Sequence, residues 1–295
     1  MQKWETWDLG DVTEFLHMST IEQGSKVHID QCAYLETVLQ HCGMQNCKTA
    51  ATPLPARYMP EPVSQDITID LELRSHYQTV IGSLLYLMLG TRPDVAFVVT
   101  KLAQFAAHPS EVHLNKALYI CHYLRGTSKY CITYDSTSGE GLMACTDSDW
   151  ASDHEQYRSQ SVYFLKLAGG AISWTSRAQQ TIVLSSTEAK YMALMDCSHQ
   201  VVWYHTLMGE LGYNLKPMPI CGNQGSIFIT SNPVTKKQSK HIDIHYHYIR
   251  EVIERKLMEV FFIDGDKNPA DLLTKNLGSV KFLQFHPEYG LRFFK

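Results

Sequence analysis

The chain lacks the features of a membrane-bound, secreted or strongly basic protein. Its 26 lysine and arginine residues are outnumbered by 30 aspartate and glutamate residues, so the net charge is −4 and no overall positive field attracts a polyanion. The most apolar run, 80–90, is far shorter than the ~20 residues that cross a bilayer, and the first residues have no basic flank before an apolar core. We expect an intracellular protein, cytoplasmic or nuclear, without membrane contact.

Paired cysteine motifs are also lacking. The eight cysteines include no Cys-x-x-C pair and no short disulfide-framework spacing, in a chain long enough to bury its own core. We therefore expect reduced thiols that serve mostly as packing groups. Cys42 and Cys47 have no second pair nearby that would complete a zinc site. The i, i+4 spacing of His241 and His245 leaves a zinc protein open as a weaker alternative.

Apolar periodicity predicts a mainly helical first half. The elements expected before residue 139 are a strand at 27–29 and helices at 33–41, within 77–107 and at 112–124. The helical pattern of 77–107 is interrupted at 91–93, where Pro93 suits the first turn of a second helix. Four prolines in 52–63 predict a poorly packed connector, because proline removes backbone donors and biases the preceding residue toward an extended conformation.

From residue 141 the pattern changes from a helical period to alternation. Three antiparallel strands are predicted near 142–148, 161–167 and 171–174, the last two joined by a turn at 168–170. The remaining predicted elements alternate in type: a helix at 186–211, a strand at 217–221, helices at 223–230 and 242–253, a strand at 258–264, and a closing helix opened by Asn268 and Pro269. The predicted fold class is mixed α/β.

Three carboxylates fall at the ends of these elements. Asp147 ends the apolar face of the first strand, Glu188 begins the long helix, and Asp271 begins the last helix. Clustered carboxylates repel one another and persist chiefly where divalent cations neutralise them. Each has a structural alternative, since Glu188 completes a capping box with Ser185, and Asp271 is an acid at a helix start.

Ordered sequence blocks extend along nearly the whole chain. Those in the second half read TDSDWASD, AISWTSRAQQTIVLSSTEAKYMAL, CGNQGSI, NPV, SKHIDIHYHYIRE and NPADLLTKNL. Together they resemble the RNase H domain of copia-type long-terminal-repeat retrotransposon Pol polyproteins. Upstream blocks, DLGDVTEFL, QCAYLETVLQHCGMQNCKTAATPLP and YQTVIGSLLYLMLGTRPDVAFVVTKLAQF, resemble the polymerase region after its palm, followed by thumb and connection.

The resemblance implies an RNase H-like mixed β-sheet flanked by helices and preceded by a mainly helical thumb and connection region. It divides the chain into the end of the palm and thumb region with the proline-rich linker (1–62), a helical thumb and connection region (63–138) and an RNase H-like domain (139–295). The implied activity is hydrolysis of the RNA strand of an RNA/DNA hybrid with Mg²⁺, or with Mn²⁺.

The same resemblance implies which residues form the site, and the sequence departs from the family pattern at two places. Asp147, Glu188 and Asp271 match three of the four catalytic metal ligands, whereas Gly222 stands where the family has the remaining Asp. We therefore expect impaired cleavage. No Asp-Asp dipeptide occurs in the 295 residues, so the Tyr-x-Asp-Asp turn of the polymerase is absent. We therefore expect that the chain is not a complete reverse transcriptase. A polymerase-competent Pol chain is a candidate partner.

A non-enzymatic alternative is a catalytically dead relic or a co-opted nucleic-acid-binding protein. The candidate nucleic-acid contacts share a basic or aromatic side chain: Trp150, Lys236, Lys237, Lys240 and His241. A solvated surface is the alternative interpretation of the basic group. Trp174 and Trp203 are expected in the core.

Overall fold

The computed structural model describes residues 7, 10–56, 58–62, 70–150, 157–183, 185–222 and 240–294, except for the side chains of 240–246. Within these ranges the chain forms two five-stranded sheets and seven α-helices. The predicted helix at 223–230 lies outside the described residues.

The first sheet is antiparallel and includes the last strand of the described chain. Its strands are β1 Glu14–Phe15, β2 Met18–Gln23, β3 Lys26–Asp30, β4 Tyr130–Asp135 and β10 Leu291–Phe293. They lie in the order β1-β2-β3-β4-β10, with Leu291 opposite Ile132. Segments from both ends of the described chain therefore meet in one sheet.

Four helices lie between β3 and β4: α1 Cys32–His41, α2 Leu71–Gly90, α3 Ala96–Ala103 and α4 Glu111–Gly126. They confirm the helices predicted for the first half. Asp70 begins α2 by accepting hydrogen bonds from the backbone N–H groups of Glu72 and Leu73. Pro93 opens a short 3₁₀ turn that leads into α3, which explains the interruption between the two apolar runs.

The proline-rich connector contacts the core of this helical region. Leu54 is only 1% exposed and belongs to the same buried cluster as Leu39 and Leu124. The prediction of a poorly packed connector is therefore wrong at this residue. Proline excludes regular backbone pairing, but it does not prevent an extended segment from directing one side chain inward.

The second sheet is mixed. Its strands are β5 Met143–Asp149, β6 Gln160–Leu167, β7 Gly170–Ala178, β8 Met218–Gly222 and β9 Met258–Phe262, in the order β7-β6-β5-β8-β9. The first three pair antiparallel, as predicted, and β8 is parallel to both β5 and β9. This arrangement confirms the predicted mixed α/β fold class, in which a mixed sheet with flanking helices follows a mainly helical region.

Both faces of the second sheet are covered. The helix α5 Ser186–Glu210 packs against β5 and β6, and α6 Lys240–Glu254 packs beside α5. On the other face, residues such as Phe164 and Val162 join the same core as the helices of the first half. The boundaries proposed at residues 62 and 138 stay predictions, but the core is continuous across the second of them.

The described chain ends in a compact series of turns. A 3₁₀ helix at Pro269–Leu273 is followed by α7 Ser279–Phe285 and a second 3₁₀ helix at His286–Tyr289. Gly290 then has φ +71°, and a Cβ there would lie 2.7 Å from the Cα of Gly170, so glycine is required for the chain to enter β10. In the described part of the chain, no helix has the length and apolar character needed to cross a bilayer.

Candidate functional site

Asp147 lies near the end of β5 and is half-buried. Burial raises the pKa of its carboxyl to about 6; a backbone hydrogen bond with Ser148 opposes this shift, and the negative charge of Asp271 adds to it. The positive charges of Lys190 and Lys275 lower the pKa. Asp147 and Asp271 are therefore close enough for their charges to interact.

The turn that carries Asp271 is attached directly to β5. Asn268 accepts a hydrogen bond from the backbone N–H of Ala270 at 3.1 Å, which confirms its predicted capping role. Its side-chain amide also donates to the backbone carbonyl of Thr146 at 3.1 Å. Since Thr146 precedes Asp147, this bond places the two carboxylate-bearing elements side by side.

Other buried hydrogen bonds hold the same turn in place. The Ser176 hydroxyl donates to the carbonyl of Leu273 at 2.6 Å, and the Gln160 side-chain amide donates to that hydroxyl at 2.9 Å. The Tyr289 hydroxyl donates to the carbonyl of Pro269 at 3.0 Å. These supporting residues were not predicted from the sequence, because most of their partners are distant along the chain and no local pattern marks them.

Two lysines hold the carboxylate of Asp271, which is 3% exposed. The ammonium nitrogen of Lys275 lies 3.0 Å from Oδ1, and that of Lys281 lies 2.9 Å from Oδ2. Burial opposes the charge of Lys281, but hydrogen bonds and charge interactions with Asp271 and Asp266 raise its pKa overall. Sequence reasoning missed both lysines, although the i, i+4 spacing of Asp271 and Lys275 was a visible signal.

Glu188 lies in the first turn of α5 and is half-buried. Its backbone N–H donates to the hydroxyl of Ser185 at 3.1 Å, which is one half of the capping box considered from the sequence. This bond explains why Glu188 lies at the helix start without invoking a bound metal ion. Its metal-binding role stays a prediction.

Gly222 is the last residue of β8 and contributes no side chain at the end of the sheet that carries Asp147. Cys221 lies opposite Cys145 in the parallel pair, so continuing this register sets Gly222 beside Thr146. On its other side Gly222 pairs with Phe262 of β9. A side chain at residue 222 would therefore start beside Thr146, one residue before Asp147 and at the same end of the sheet.

The described residues do not fit the two-cation centre that the resemblance implies. Among them, no group of three or more His, Cys, Asp or Glu side chains is arranged to hold a metal ion. Both carboxylate oxygens of Asp271 already contact ammonium groups, and Gly222 offers no oxygen from a side chain. Mg²⁺ prefers several oxygen ligands in nearly ideal octahedral geometry, so each of these features works against it.

The candidate nucleic-acid contacts are only partly described. Trp150 is 49% exposed just after β5, and its indole N–H donates to the carbonyl of Val183 at 3.3 Å. Lys236 and Lys237 lie outside the described residues, as do the side chains of Lys240 and His241. The nucleic-acid roles of all five candidates stay predictions.

The expectation for the two other tryptophans is half right. Trp174 packs against the first core and donates its indole N–H to the carbonyl of Met88 at 2.9 Å. Trp203 is exposed on α5, so its predicted core position is wrong. Its ring packs edge-on against neighbouring Tyr204, a local contact that leaves much of the indole outside.

All eight cysteines are free thiols, as predicted. Four are buried, Cys121, Cys131, Cys145 and Cys197, and the partly buried Cys42 and Cys221 pack against the first core. A hydrogen bond with the thiol of Cys42 and, next to it, burial raise the pKa of Cys121, so its thiol stays protonated. The histidine-based zinc alternative depends on His241 and His245, whose side chains lie outside the described residues.

Known proteins with similar sequences decide the family. The chain is 33% identical over 281 residues to the retrovirus-related Pol polyprotein from transposon TNT 1-94 of Nicotiana tabacum, an alignment covering 93% of this chain and 21% of that protein. It is 32% identical over 293 residues to the corresponding polyprotein from transposon RE1 of Arabidopsis thaliana, covering 98% of this chain and 20% of that protein. The chain belongs to the copia-type retrotransposon Pol family.

This copia-type Pol segment spans about a fifth of the length of those two relatives. Among solved structures it is similar to LC11-RNase H1, determined in complex with an RNA/DNA hybrid, with a TM-score of 0.35 and 14% identity over 45% of this chain and 92% of that chain. No protein-family model matches the segment.

Proposed function

We propose that this copia-type Pol segment contains an RNase H-like domain whose RNA/DNA hybrid-cleaving centre is disabled. The observation that carries the proposal is Gly222, which ends β8 beside Thr146 and supplies no carboxylate to the sheet edge where Asp147 lies. The family centre uses Mg²⁺ or Mn²⁺ held by four carboxylates, of which Asp147, Glu188 and Asp271 are the remaining candidates.

The geometry around the remaining carboxylates supports reduced cation binding. Both oxygens of Asp271 contact lysine ammonium groups, so a cation approaching them meets positive charge. The pKa of Asp147 is raised to about 6 by burial, so at mildly acidic pH a substantial fraction of this carboxyl is protonated. A hard divalent cation requires deprotonated oxygen ligands.

The experiment is cleavage of an end-labelled RNA/DNA hybrid in Mg²⁺ and in Mn²⁺ by three full-length proteins: the unchanged chain, Gly222→Asp, and Gly222→Asp combined with Asp147→Asn. We expect cleavage only by Gly222→Asp, because the second change removes a remaining ligand position. Cleavage by the unchanged chain at a rate similar to that of Gly222→Asp would contradict the proposal. Cleavage by the combined variant would show that Asp147 is not a ligand.

A binding function without cleavage is the second candidate. The observation in its favour is the half-exposed indole of Trp150, which lies next to the candidate site and is available to stack on a base. We expect hybrid affinity to fall steeply with salt, to be indifferent to EDTA, and to drop about tenfold in Trp150→Ala. Unchanged affinity in this variant, with Trp203→Ala as the matched control, would contradict the stacking role.

The cellular setting follows from the family. We infer an intracellular protein, in the cytoplasm or nucleus, that acts on an RNA/DNA hybrid or another nucleic acid. A polymerase-competent Pol chain is the partner that would supply the missing Tyr-x-Asp-Asp motif. The test is whether this segment co-purifies with such a chain. We expect this co-purification to depend on the helices before β4.

A further inference from the structure

The carboxylate of Asp271 is neutralised by the chain itself. It is almost completely buried, and a buried carboxylate without compensation is strongly destabilising. Lys275 approaches one oxygen at 3.0 Å and Lys281 approaches the other at 2.9 Å. Neither oxygen is therefore left without a positively charged partner.

The two lysines come from separate elements, which fixes the geometry of the group. Lys275 follows the turn of Asp271 by four residues, whereas Lys281 belongs to α7. Lys281 also contacts Asp266 at 3.2 Å and lies 5.7 Å from the ring centre of Phe285. Its side chain is 29% exposed against 50% for Lys275, so Lys281 is the more firmly held of the two.

A divalent cation would have to compete with this arrangement. Mg²⁺ binds carboxylate oxygens at ~2.0–2.1 Å, well inside the distances at which the ammonium groups already lie. Cation and ammonium groups also repel each other at such separations. At least one lysine would have to leave Asp271 before a metal could bind there directly.

We propose that Lys275 and Lys281 are the resident counter-ions of Asp271 and that they make folding of this domain independent of divalent cations. The inference concerns the same site as the proposed function, but it rests on ion pairs rather than on Gly222. It assigns to the two lysines the charge compensation that a bound cation would otherwise supply.

The test is thermal unfolding of the full chain in EDTA and in millimolar Mg²⁺. The unchanged chain should melt at the same temperature in both. Lys275→Met combined with Lys281→Met should melt ~5 °C or more lower in EDTA, because a buried carboxylate loses its partners, and Mg²⁺ should restore part of that loss. Lys129→Met combined with Lys216→Met, two exposed lysines elsewhere, is the control with the same change of net charge.

Adding Asp271→Asn to the double lysine variant guards against simple loss of folding. A neutral amide needs no counter-ion, so this triple variant should regain stability and should not respond to Mg²⁺. The proposal is overturned if Mg²⁺ stabilises the unchanged chain as much as the double variant, if the double variant responds no more than the control, or if the triple variant stays unstable. No hybrid or cleavage step is involved, so failure here is distinct from failure of the proposed function.

Discussion

The side chain of Asn268 connects the turn of Asp271 to the strand of Asp147, and its removal has a calculable cost. Its amide donates to the Thr146 carbonyl, and its oxygen accepts from the Ala270 N–H, both at 3.1 Å. The side chain is 3% exposed, so both bonds are shielded from solvent in the unchanged protein. In Asn268→Ala both backbone groups lose their partners inside the protein, at ~1–3 kcal/mol for each buried unsatisfied group. We expect a total loss of ~2–6 kcal/mol.

The assay is urea unfolding of the full chain, monitored by tryptophan fluorescence. Asn268→Ser keeps a neutral acceptor for Ala270 but loses the donor to Thr146, so we expect about half the loss of the alanine variant. Asn214→Ala, at an exposed loop position, is the control and should change stability by less than ~0.5 kcal/mol. If Asn268→Ala unfolds at the same urea concentration as the control, the attachment of this turn to β5 does not depend on Asn268.

Three further predictions concern charge and packing. The pKa of Asp147 is raised to about 6 from 3.8, so the folded state binds more protons between these values and stability falls as pH rises from about 4 to 6. Asp147→Asn should abolish this pH dependence of stability and stabilise the chain at pH 7 by ~1–3 kcal/mol. Urea unfolding measured from pH 4 to pH 7 tests this, and an unchanged pH profile would refute the raised pKa. Leu54→Ala should cost ~2–4 kcal/mol in the same assay, because Leu54 is part of the first core; a loss below ~0.5 kcal/mol would mean that the connector is not packed. Asp94→Ala should lower the melting temperature by ~6–15 °C, which corresponds to a loss of ~3–5 kcal/mol. The reason is that Arg92, 2.7 Å from the carboxylate of Asp94, would be left buried without its partner. Adding Arg92→Met should recover part of the loss, and no recovery would argue against an ion-pair effect.

Local chemistry explains which elements could be predicted. The alternation that predicts β5 to β7 comes from side chains facing opposite sides of one sheet, and Ala168 and Gly169 have the positive φ angles that a tight turn requires. Asn268 was identifiable as a cap because its bond to Ala270 spans only two residues. Elements whose geometry is set within a few residues are visible in the sequence.

Contacts between distant segments explain what could not be predicted. The pairing of β10 with β4 joins residues about 160 positions apart, and nothing in the short run 291–293 signals its partner. Ser176 and Leu273 are likewise distant in sequence, and their bond follows from the way the last turns fold against β7. The core position predicted for Trp203 is wrong because a large aromatic on a helix is usually well covered, whereas Trp203 is 53% exposed and packs edge-on against Tyr204.

The charges at the candidate site connect Gly222 with the lysines. Four carboxylates at one sheet edge repel one another and need about the charge that two divalent cations supply. With Gly222 in place of one of them, three candidate carboxylates remain, and Lys275 and Lys281 bring two positive charges to one of them, Asp271. Burial raises the pKa of Asp147 to about 6 and the negative charge of Asp271 adds to the shift, so this carboxyl accepts a proton more readily than an ordinary aspartate does. In the proposed site, loss of one carboxylate leaves less negative charge to neutralise, so lysine side chains can take over part of the compensation that a metal ion would supply.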